Sequence, residues 1–194
     1  MPPELKGLQH IGLKVRDIEA SLKFYTEVMG FHVNEHLRYD PPRNIYAAQN
    51  FISCTGYHHV INLSMLTPEN QPDSAAPVEN SRNSPTLGLH HMAFEIENKE
   101  VFEEWEAHIL ANGIEFTGGP VVHSPTHPEG DGTWGENRAF YFCDPDGHRI
   151  EIFCEMALLD HETNAIDPEW FAERLRQEGH DPSKYAPAPP QMRE

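Results

Sequence analysis

Three residues of this 194-residue chain have the side chains and the setting to hold a metal ion: His10, His91 and Glu151. Histidine is the commonest metal ligand in proteins, and the chain has 13 histidines, so their positions must decide which ones bind. Glu151 lies in the otherwise apolar run 150–153. Because burying an unpaired carboxylate is very costly, we expect a charged partner such as a metal ion. Two histidines and one carboxylate form a ligand set that suits ferrous iron with open coordination positions.

An internal repeat relates the two histidines. Residues 8–33 and 89–116 share one order: a histidine, an alternating apolar run, a helical stretch that ends at glycine, and a second extended run. A shift of 81 positions places His10 on His91. The alternation after each histidine is typical of a half-buried strand. We therefore predict that both histidines start equivalent strands and point into the same cavity.

Each copy of the repeat carries signals for one strand, one helix and three further strands. Asp17 and Asn98 suit the first position of a helix, and Gly30 and Gly113 suit the turn that ends one. The expected later strands are Phe31–Leu37, Ile45–Ile52 and His58–Met65 in the first copy, and Glu115–Phe116, Arg138–Phe142 and Arg149–Cys154 in the second. The sequence therefore predicts an α+β fold in which two βαβββ modules form one curved mixed sheet, or half-barrel, around a metal site.

The repeat also divides the chain into four segments. These are the first module at 1–66, a linker at 67–87, the second module at 88–155, and a C-terminal helix with a proline-rich tail at 156–194. The helix of that last segment is expected at Pro168–Gly179. The second module contains an insertion at Ser124–Glu136, rich in glycine, proline and aspartate. This insertion either covers a site or is an exposed irregular loop.

The composition excludes several classes of partner. Acidic residues outnumber basic ones by 31 to 14, giving a formal charge of −17. Such a surface repels phosphate backbones and anionic lipids, so we expect neither nucleic acid nor membranes as partners. No apolar run approaches the roughly 18–20 residues that span a bilayer, and the start of the chain lacks a signal-peptide pattern. We therefore expect a cytoplasmic protein, with three reduced cysteines that form no C-x-x-C pair.

Three segments of the chain resemble a known superfamily. They are Leu8–Leu13, Leu89–Phe94 and Tyr141–Gly147, the last followed by Glu151. Together they resemble the vicinal oxygen chelate superfamily, which includes glyoxalase I, fosfomycin resistance proteins and type I extradiol dioxygenases. The resemblance covers roughly residues 7–155 and implies the vicinal oxygen chelate fold with a metal at its centre. It is strongest to the single-domain extradiol, catechol ring-cleaving, enzymes.

The extradiol resemblance also implies pocket residues beyond the metal ligands. His123, which follows a Gly-Pro pair, resembles a histidine that transfers protons to and from the substrate. Tyr141 matches a tyrosine of the penultimate strand that hydrogen-bonds a substrate oxygen. His58 resembles a second pocket histidine, and His59 is an equally open choice of register. The insertion after His123 lengthens the usual spacing to Tyr141, which is a departure from the family pattern.

One further position separates the branches of this superfamily. Glyoxalase I places a fourth ligand, a glutamate, in the last strand of its first half, and the matching residue here is Asn62. An amide there leaves three strong protein ligands and room for a bidentate catechol and dioxygen. The resemblance therefore implies an Fe(II)-dependent extradiol dioxygenase that opens a catechol ring next to the diol to give a semialdehyde, with Mn(II) as the alternative metal.

Two rival functions share the fold. They are a glyoxalase-like metal-dependent isomerase or lyase and a small-molecule binding protein without catalysis. Many extradiol enzymes have an extra N-terminal pair of modules, whereas this chain has one pair. Because paired modules of this kind often associate as dimers, we expect a homo-oligomer.

Two other histidines are not expected to bind the metal. His90 is expected to point away from it, because neighbouring strand residues face opposite sides. His148 lies in a turn and is expected to be exposed.

Overall fold

The computed structural model describes residues 5–72, 88–160 and 162–188. It divides into two compact units, the first at Met1–Pro85 together with the turn Asp144–His148, and the second at Thr86–Cys143 with Arg149–Glu194. Residues 73–87 of the predicted linker and 189–194 of the predicted tail lie outside the described residues. Each unit contains one copy of the sequence repeat.

The first unit is built on a four-stranded mixed sheet. Its strands are β1 (Ile11–Val15), β2 (His32–Arg43), β3 (Tyr46–Ser53) and β4 (Ile61–Leu66), in the order β1-β4-β3-β2. β1 pairs with β4 in parallel, and the other pairs are antiparallel. Helix α1 (Ile18–Lys23) continues into a π-helical turn at Phe24–Val28 and connects β1 to β2. Asp17 caps α1 by accepting from the backbone N–H groups of Glu19 and Ala20.

Alternation along these strands separates a core face from a polar face. Leu13 and Val15 of β1 are buried, as are Ile61 and Leu63 of β4, together with the fully buried Tyr25. The intervening positions carry glycine and polar side chains on the opposite face. The sequence pattern therefore determines which face of the first sheet is available for chemistry.

The second unit has a sheet of the same topology. Its strands are β5 (Met92–Glu95), β6 (Gly118–His123), β7 (Asn137–Cys143) and β8 (Arg149–Cys154), in the order β5-β8-β7-β6. Helix α2 (Lys99–Ala111) follows β5, and Asn98 caps it by accepting from the N–H of Val101 at 3.0 Å. A C-terminal helix, α3 (Pro168–Gln177), is capped by Asp167. The described residues contain no helix long and apolar enough to cross a membrane.

The predicted α+β fold of two βαβββ modules is confirmed, with differences in detail. Hydrogen bonding forms two separate four-stranded sheets rather than one. β2 continues to Arg43, because its hairpin with β3 pairs as far as Tyr46. β4 begins at Ile61 rather than His58, after a turn in which the hydroxyl of Ser53 contacts Thr55.

One predicted strand lies elsewhere. The pair Glu115–Phe116 precedes the second strand of the second module, which instead begins at Gly118. The ring of Phe116 packs on that of Phe140, with centroids 4.8 Å apart. The apolar character of Phe116 therefore reflects a core contact rather than a place in the sheet.

Candidate metal centre

The two sheets present the same arrangement of a histidine and its strand neighbours. His10 immediately precedes β1 and His91 immediately precedes β5. Two residues after each histidine, the parallel ladder pairs Gly12 with Asn62 in the first unit and Ala93 with Glu151 in the second. Asn62 and Glu151 therefore occupy equivalent positions, and only Glu151 is a carboxylate.

Glu151 and His91 form a close pair in the second unit. Glu151 is 5% exposed, and its Oε2 lies 3.0 Å from His91 Nε2. The side-chain amide of Asn137 donates to the other carboxylate oxygen at 3.3 Å. Burial lowers the pKa of His91, the nearby His90 and Arg149 lower it further, and the Glu151 charge opposes them. A neutral imidazole next to a buried carboxylate is the protonation state in which both groups bind metal.

His10 lies in the first unit among other histidines. It is exposed, its Nδ1 lies 2.7 Å from Gln9 Oε1, and its ring centroid is 4.6 Å from that of His59. Desolvation lowers the pKa of His59, and the charges of His10 and His58 lower it further. His59 is therefore the member of the His58–His59 pair whose ring contacts His10, while His58 Nε2 lies 3.7 Å from Glu35 Oε2.

Tyr141 faces the Glu151 carboxylate from the neighbouring strand. The antiparallel ladder of β7 and β8 pairs these two residues directly. The Tyr141 hydroxyl lies 2.9 Å from His123 Nε2. The guanidinium carbon of Arg149 lies over the Tyr141 ring, 3.8 Å from the ring centroid. The His91 ring meets Tyr141 edge-on at 6.0 Å. The second unit thus brings four of the predicted site residues together: His91, His123, Tyr141 and Glu151.

The insertion supplies a partner that the sequence interpretation missed. His123 Nδ1 lies 2.9 Å from Asp131 Oδ2 and 2.9 Å from Thr133 Oγ1. A carboxylate only accepts hydrogen bonds, so Nδ1 carries a proton, and in the neutral ring Nε2 accepts from the Tyr141 hydroxyl. Burial alone would raise the pKa of Asp131, but hydrogen bonds from Thr133 and the contact with His123 hold it below its usual value.

The path of the insertion explains why Asp131 was not predicted. The spacing of Asp131 and Thr133 indicates a local turn, which is present: Asp131 Oδ1 accepts from the N–H and the hydroxyl of Thr133 at 2.9 and 2.7 Å. Nothing in that spacing identifies His123 as the outside partner. Of the two interpretations left open for the insertion, contact with a site residue is the one that the geometry supports.

Two further histidines make contacts that the sequence pattern does not specify. His90 Nδ1 lies 2.6 Å from His91 Nδ1, while the other His91 nitrogen, Nε2, is the one next to Glu151. His148 is not an exposed turn residue: its side chain is 26% exposed and its Nδ1 lies 2.9 Å from Asp144 Oδ2. Burial lowers the pKa of His148, but the hydrogen bond and the charge of Asp144 outweigh this effect and raise it.

Comparison with known proteins gives the class to which this fold and site belong. The sequence model of the Glyoxalase/Bleomycin resistance protein/Dioxygenase superfamily matches residues 7–152, and the chain belongs to that superfamily. Virulence protein STM3117 of Salmonella typhimurium is 30% identical over 145 residues, which cover 75% of this chain and 81% of that protein.

An iron-dependent extradiol dioxygenase of Rhodococcus jostii is 36% identical over 84 residues. The match covers 39% of this chain and only 28% of the dioxygenase. Among solved structures, a glyoxalase/dioxygenase from Nostoc punctiforme superposes with a TM-score of 0.51 at 25% identity, covering 80% of this chain and 94% of that one.

Proposed function

We propose that this protein is an Fe(II)-dependent extradiol dioxygenase that cleaves a catechol ring next to the diol and yields a ring-opened semialdehyde. His10, His91 and Glu151 would hold the iron. The observation that carries the proposal is the buried Glu151 carboxylate, 3.0 Å from His91 and opposite Tyr141 in the sheet.

The donor set fits ferrous iron. Two neutral imidazoles and one carboxylate leave several coordination positions open. Asn62, at the position equivalent to Glu151, accepts hydrogen bonds from Ser64 at 2.7 Å and Gln49 at 3.5 Å, and an amide is a weak ligand for iron. When bound, Fe(II) would supply Lewis acidity toward the catechol hydroxyls and a redox centre for dioxygen.

The chain Asp131–His123–Tyr141 supplies a route for protons. A catechol releases protons as it binds a metal, and ring opening returns a proton to the product. In the neutral ring His123 Nε2 accepts from the Tyr141 hydroxyl at 2.9 Å, so this nitrogen is positioned to take a proton from a group near Tyr141. Asp131 would orient the ring and balance the charge of the imidazolium. Both atoms of dioxygen enter the product, so no external reductant is required.

The relatives agree with this proposal to different degrees. The Rhodococcus protein is described as an iron-dependent extradiol dioxygenase, and its similarity covers part of the present chain. The superfamily also contains glyoxalases, so a metal-dependent isomerase is the enzyme that the experiment must separate from a dioxygenase. Oxygen consumption makes that separation, because isomerisation uses no dioxygen.

The test is anaerobic loading of the purified chain with Fe(II), followed by addition of air-saturated buffer and a panel of substituted catechols. We expect oxygen uptake and a yellow ring-opened product in equal amounts for at least one catechol. Iron binding without oxygen uptake across the panel would contradict ring cleavage and favour the isomerase. Loading with Mn(II) in parallel identifies which metal supports turnover.

Three variants assign the roles. Glu151→Ala should raise the Fe(II) concentration that gives half-maximal turnover by more than about 100-fold. Loss of a metal ligand should weaken binding more than loss of a residue that only hydrogen-bonds a ligand. Tyr141→Phe should keep the iron but lower kcat by roughly 10²-fold, which is the low end of the rate contribution of a general acid or base. Glu103→Ala removes an exposed carboxylate of α2 and should change neither quantity. Unchanged iron dependence in Glu151→Ala would show that Glu151 is not a ligand.

A further inference from the structure

A second group of metal-binding side chains lies in the second unit, apart from the residues discussed so far. One nitrogen of His127, one carboxylate oxygen of Glu178 and one nitrogen of His180 all lie within 4.8 Å of one another. His127 belongs to the insertion, while Glu178 and His180 directly follow helix α3. The group therefore joins the insertion to the C-terminal segment.

The three candidate ligand atoms are buried and lack hydrogen bonds. The side chains of His127, Glu178 and His180 are 0%, 3% and 26% exposed. Within the described part of the chain, Nε2 of each histidine and Oε2 of the glutamate have no hydrogen-bond partner of acceptable geometry. His127 Nε2 lies 2.7 Å from Glu178 Oε2, which is the distance of an ion pair. Buried polar atoms without partners are rare, and three that converge on one point indicate a missing ligand.

The surrounding charges favour a divalent cation. Arg138 and Arg174 each contact Oε1 of Glu178 at 3.2 Å, which leaves Oε2 facing the histidines. The carboxylates in this ion-pair network are those of Glu129, Glu136, Glu155 and Glu178. With these carboxylates ionised and His127 and His180 neutral, four negative charges face two guanidinium groups, so the network has two negative charges in excess. A divalent cation would balance that excess.

Two further features support the same site. Glu129 Oε1 lies 3.5 Å from His180 Nε2 and could serve as a fourth ligand. The chain thus offers a His-x-Glu pair at 127–129 and a Glu-x-His pair at 178–180. Glu178 is also the C-terminal cap of α3, with Gly179 at φ +82° after it. The carbonyl end of a helix carries partial negative charge and attracts cations.

We propose that His127 Nε2, Glu178 Oε2 and His180 Nε2, with Glu129 as the fourth ligand, bind a structural Zn(II) ion. Four protein ligands in tetrahedral arrangement leave no open position, as in zinc sites that stabilise structure. The cost is one hydrogen bond: Nδ1 of His127 now accepts from the N–H of Glu129 at 3.1 Å and must carry the ring proton when Nε2 binds zinc. The ion would fasten the C-terminal segment to the insertion that holds Asp131.

The test uses a chain whose iron site is removed, the His91→Ala/Glu151→Ala variant. After chelator treatment and addition of Zn(II), elemental analysis should find one equivalent of zinc, and the melting temperature should rise by roughly 5–10 °C at a 100-fold excess over Kd. Adding His180→Gln should abolish both effects. His180 is partly exposed, so this change should not prevent folding, and circular dichroism at low temperature checks that it does not.

The matched control replaces His108, an exposed histidine of α2, with glutamine in the same background. Zinc binding and the rise in melting temperature should persist there. If the background variant binds no zinc, or if His180→Gln leaves binding unchanged, the proposal is wrong and His127–Glu178 is an ion pair only. Oxygen uptake is not measured in this experiment, so its outcome is independent of the proposed dioxygenase activity.

Discussion

At the scale of single residues, His59 and His58 can be told apart by their contacts. The ring of His59 lies 4.6 Å from that of the proposed ligand His10 and 4.8 Å from that of Phe51. The ring of His58 lies 5.3 Å from that of His59 and 5.6 Å from that of Phe51, and its Nε2 lies 3.7 Å from Glu35. Phe51 pairs with Asn62 in the sheet as Tyr141 pairs with Glu151. His59 is therefore the better candidate for a residue that faces the substrate.

We predict that His59→Ala lowers kcat/KM for catechol cleavage by on the order of 100-fold, whereas His58→Ala lowers it less than about threefold. The reason is that only His59 contacts the histidine proposed to bind iron. Steady-state oxygen uptake of iron-loaded variants, with iron content measured on the same samples, provides the comparison. An equal or larger loss in His58→Ala would reverse the assignment.

The site residues differ in how far their roles could be predicted from sequence. Metal ligation restricts residue type strongly, and the repeat restricts position, so the proposal of His10, His91 and Glu151 as ligands can be made from the sequence alone. The contact between Asp131 and His123 depends on the path of a loop rich in glycine and proline. Local spacing specifies the turn within such a loop but not its outside partner, so this residue was not predictable.

At the scale of elements, Gly119 determines how strand β6 approaches β7. Its φ is +75°, and a Cβ there would lie 2.6 Å from the carbonyl oxygen of Ala139 and 2.9 Å from Cα of Phe140. Gly113 has nearly the same φ, +73°, but an added Cβ would meet no atom within 4 Å. A side chain at either position would therefore strain the backbone, but only at Gly119 would it also collide with the neighbouring strand.

We predict that Gly119→Ala lowers the free energy of unfolding by about 3 kcal/mol or more, against about 1 kcal/mol for Gly113→Ala. The larger effect reflects the displacement of β6 from β7, which would also shift His123 relative to Tyr141. Urea unfolding of both variants, with oxygen uptake of the folded protein, measures these effects. Equal destabilisation of the two variants would mean that the close approach of Gly119 to β7 is unimportant.

The order of elements followed from local signals, while several strand ends did not. Asp17 and Asn98 cap their helices through side-chain hydrogen bonds to neighbouring N–H groups, which sequence specifies directly. The ends of β2, β4 and β6 depend instead on partners distant in the chain, such as Tyr46 opposite Arg43. Cross-strand pairing fixes these ends, and a single sequence does not contain that information.

At the scale of the whole molecule, the dominant feature is the formal charge of −17 on 194 residues. Ion pairs between exposed side chains offset little of it, because such pairs contribute about 0–1 kcal/mol each. Among the described residues, they include Arg38–Glu19, Arg176–Glu169 and Lys184–Asp181. The buried pairs around Arg138 and Arg174 are shielded from solvent and respond less to salt. Net repulsion at the surface should therefore govern how salt affects stability.

We predict that the metal-free protein melts at a temperature about 4 °C or more higher in 1 M NaCl than in 0.01 M NaCl at pH 8. The screening length falls from about 30 Å to about 3 Å between these conditions, which weakens repulsion among the excess carboxylates. Calorimetry in a chelating buffer avoids any contribution from bound metal. The same pair of measurements near pH 5.1, the isoelectric point calculated from the sequence, is the control, because the net charge is small there and the increase should largely vanish. A melting temperature that falls with salt at pH 8 would mean that attractive surface pairs outweigh the net repulsion.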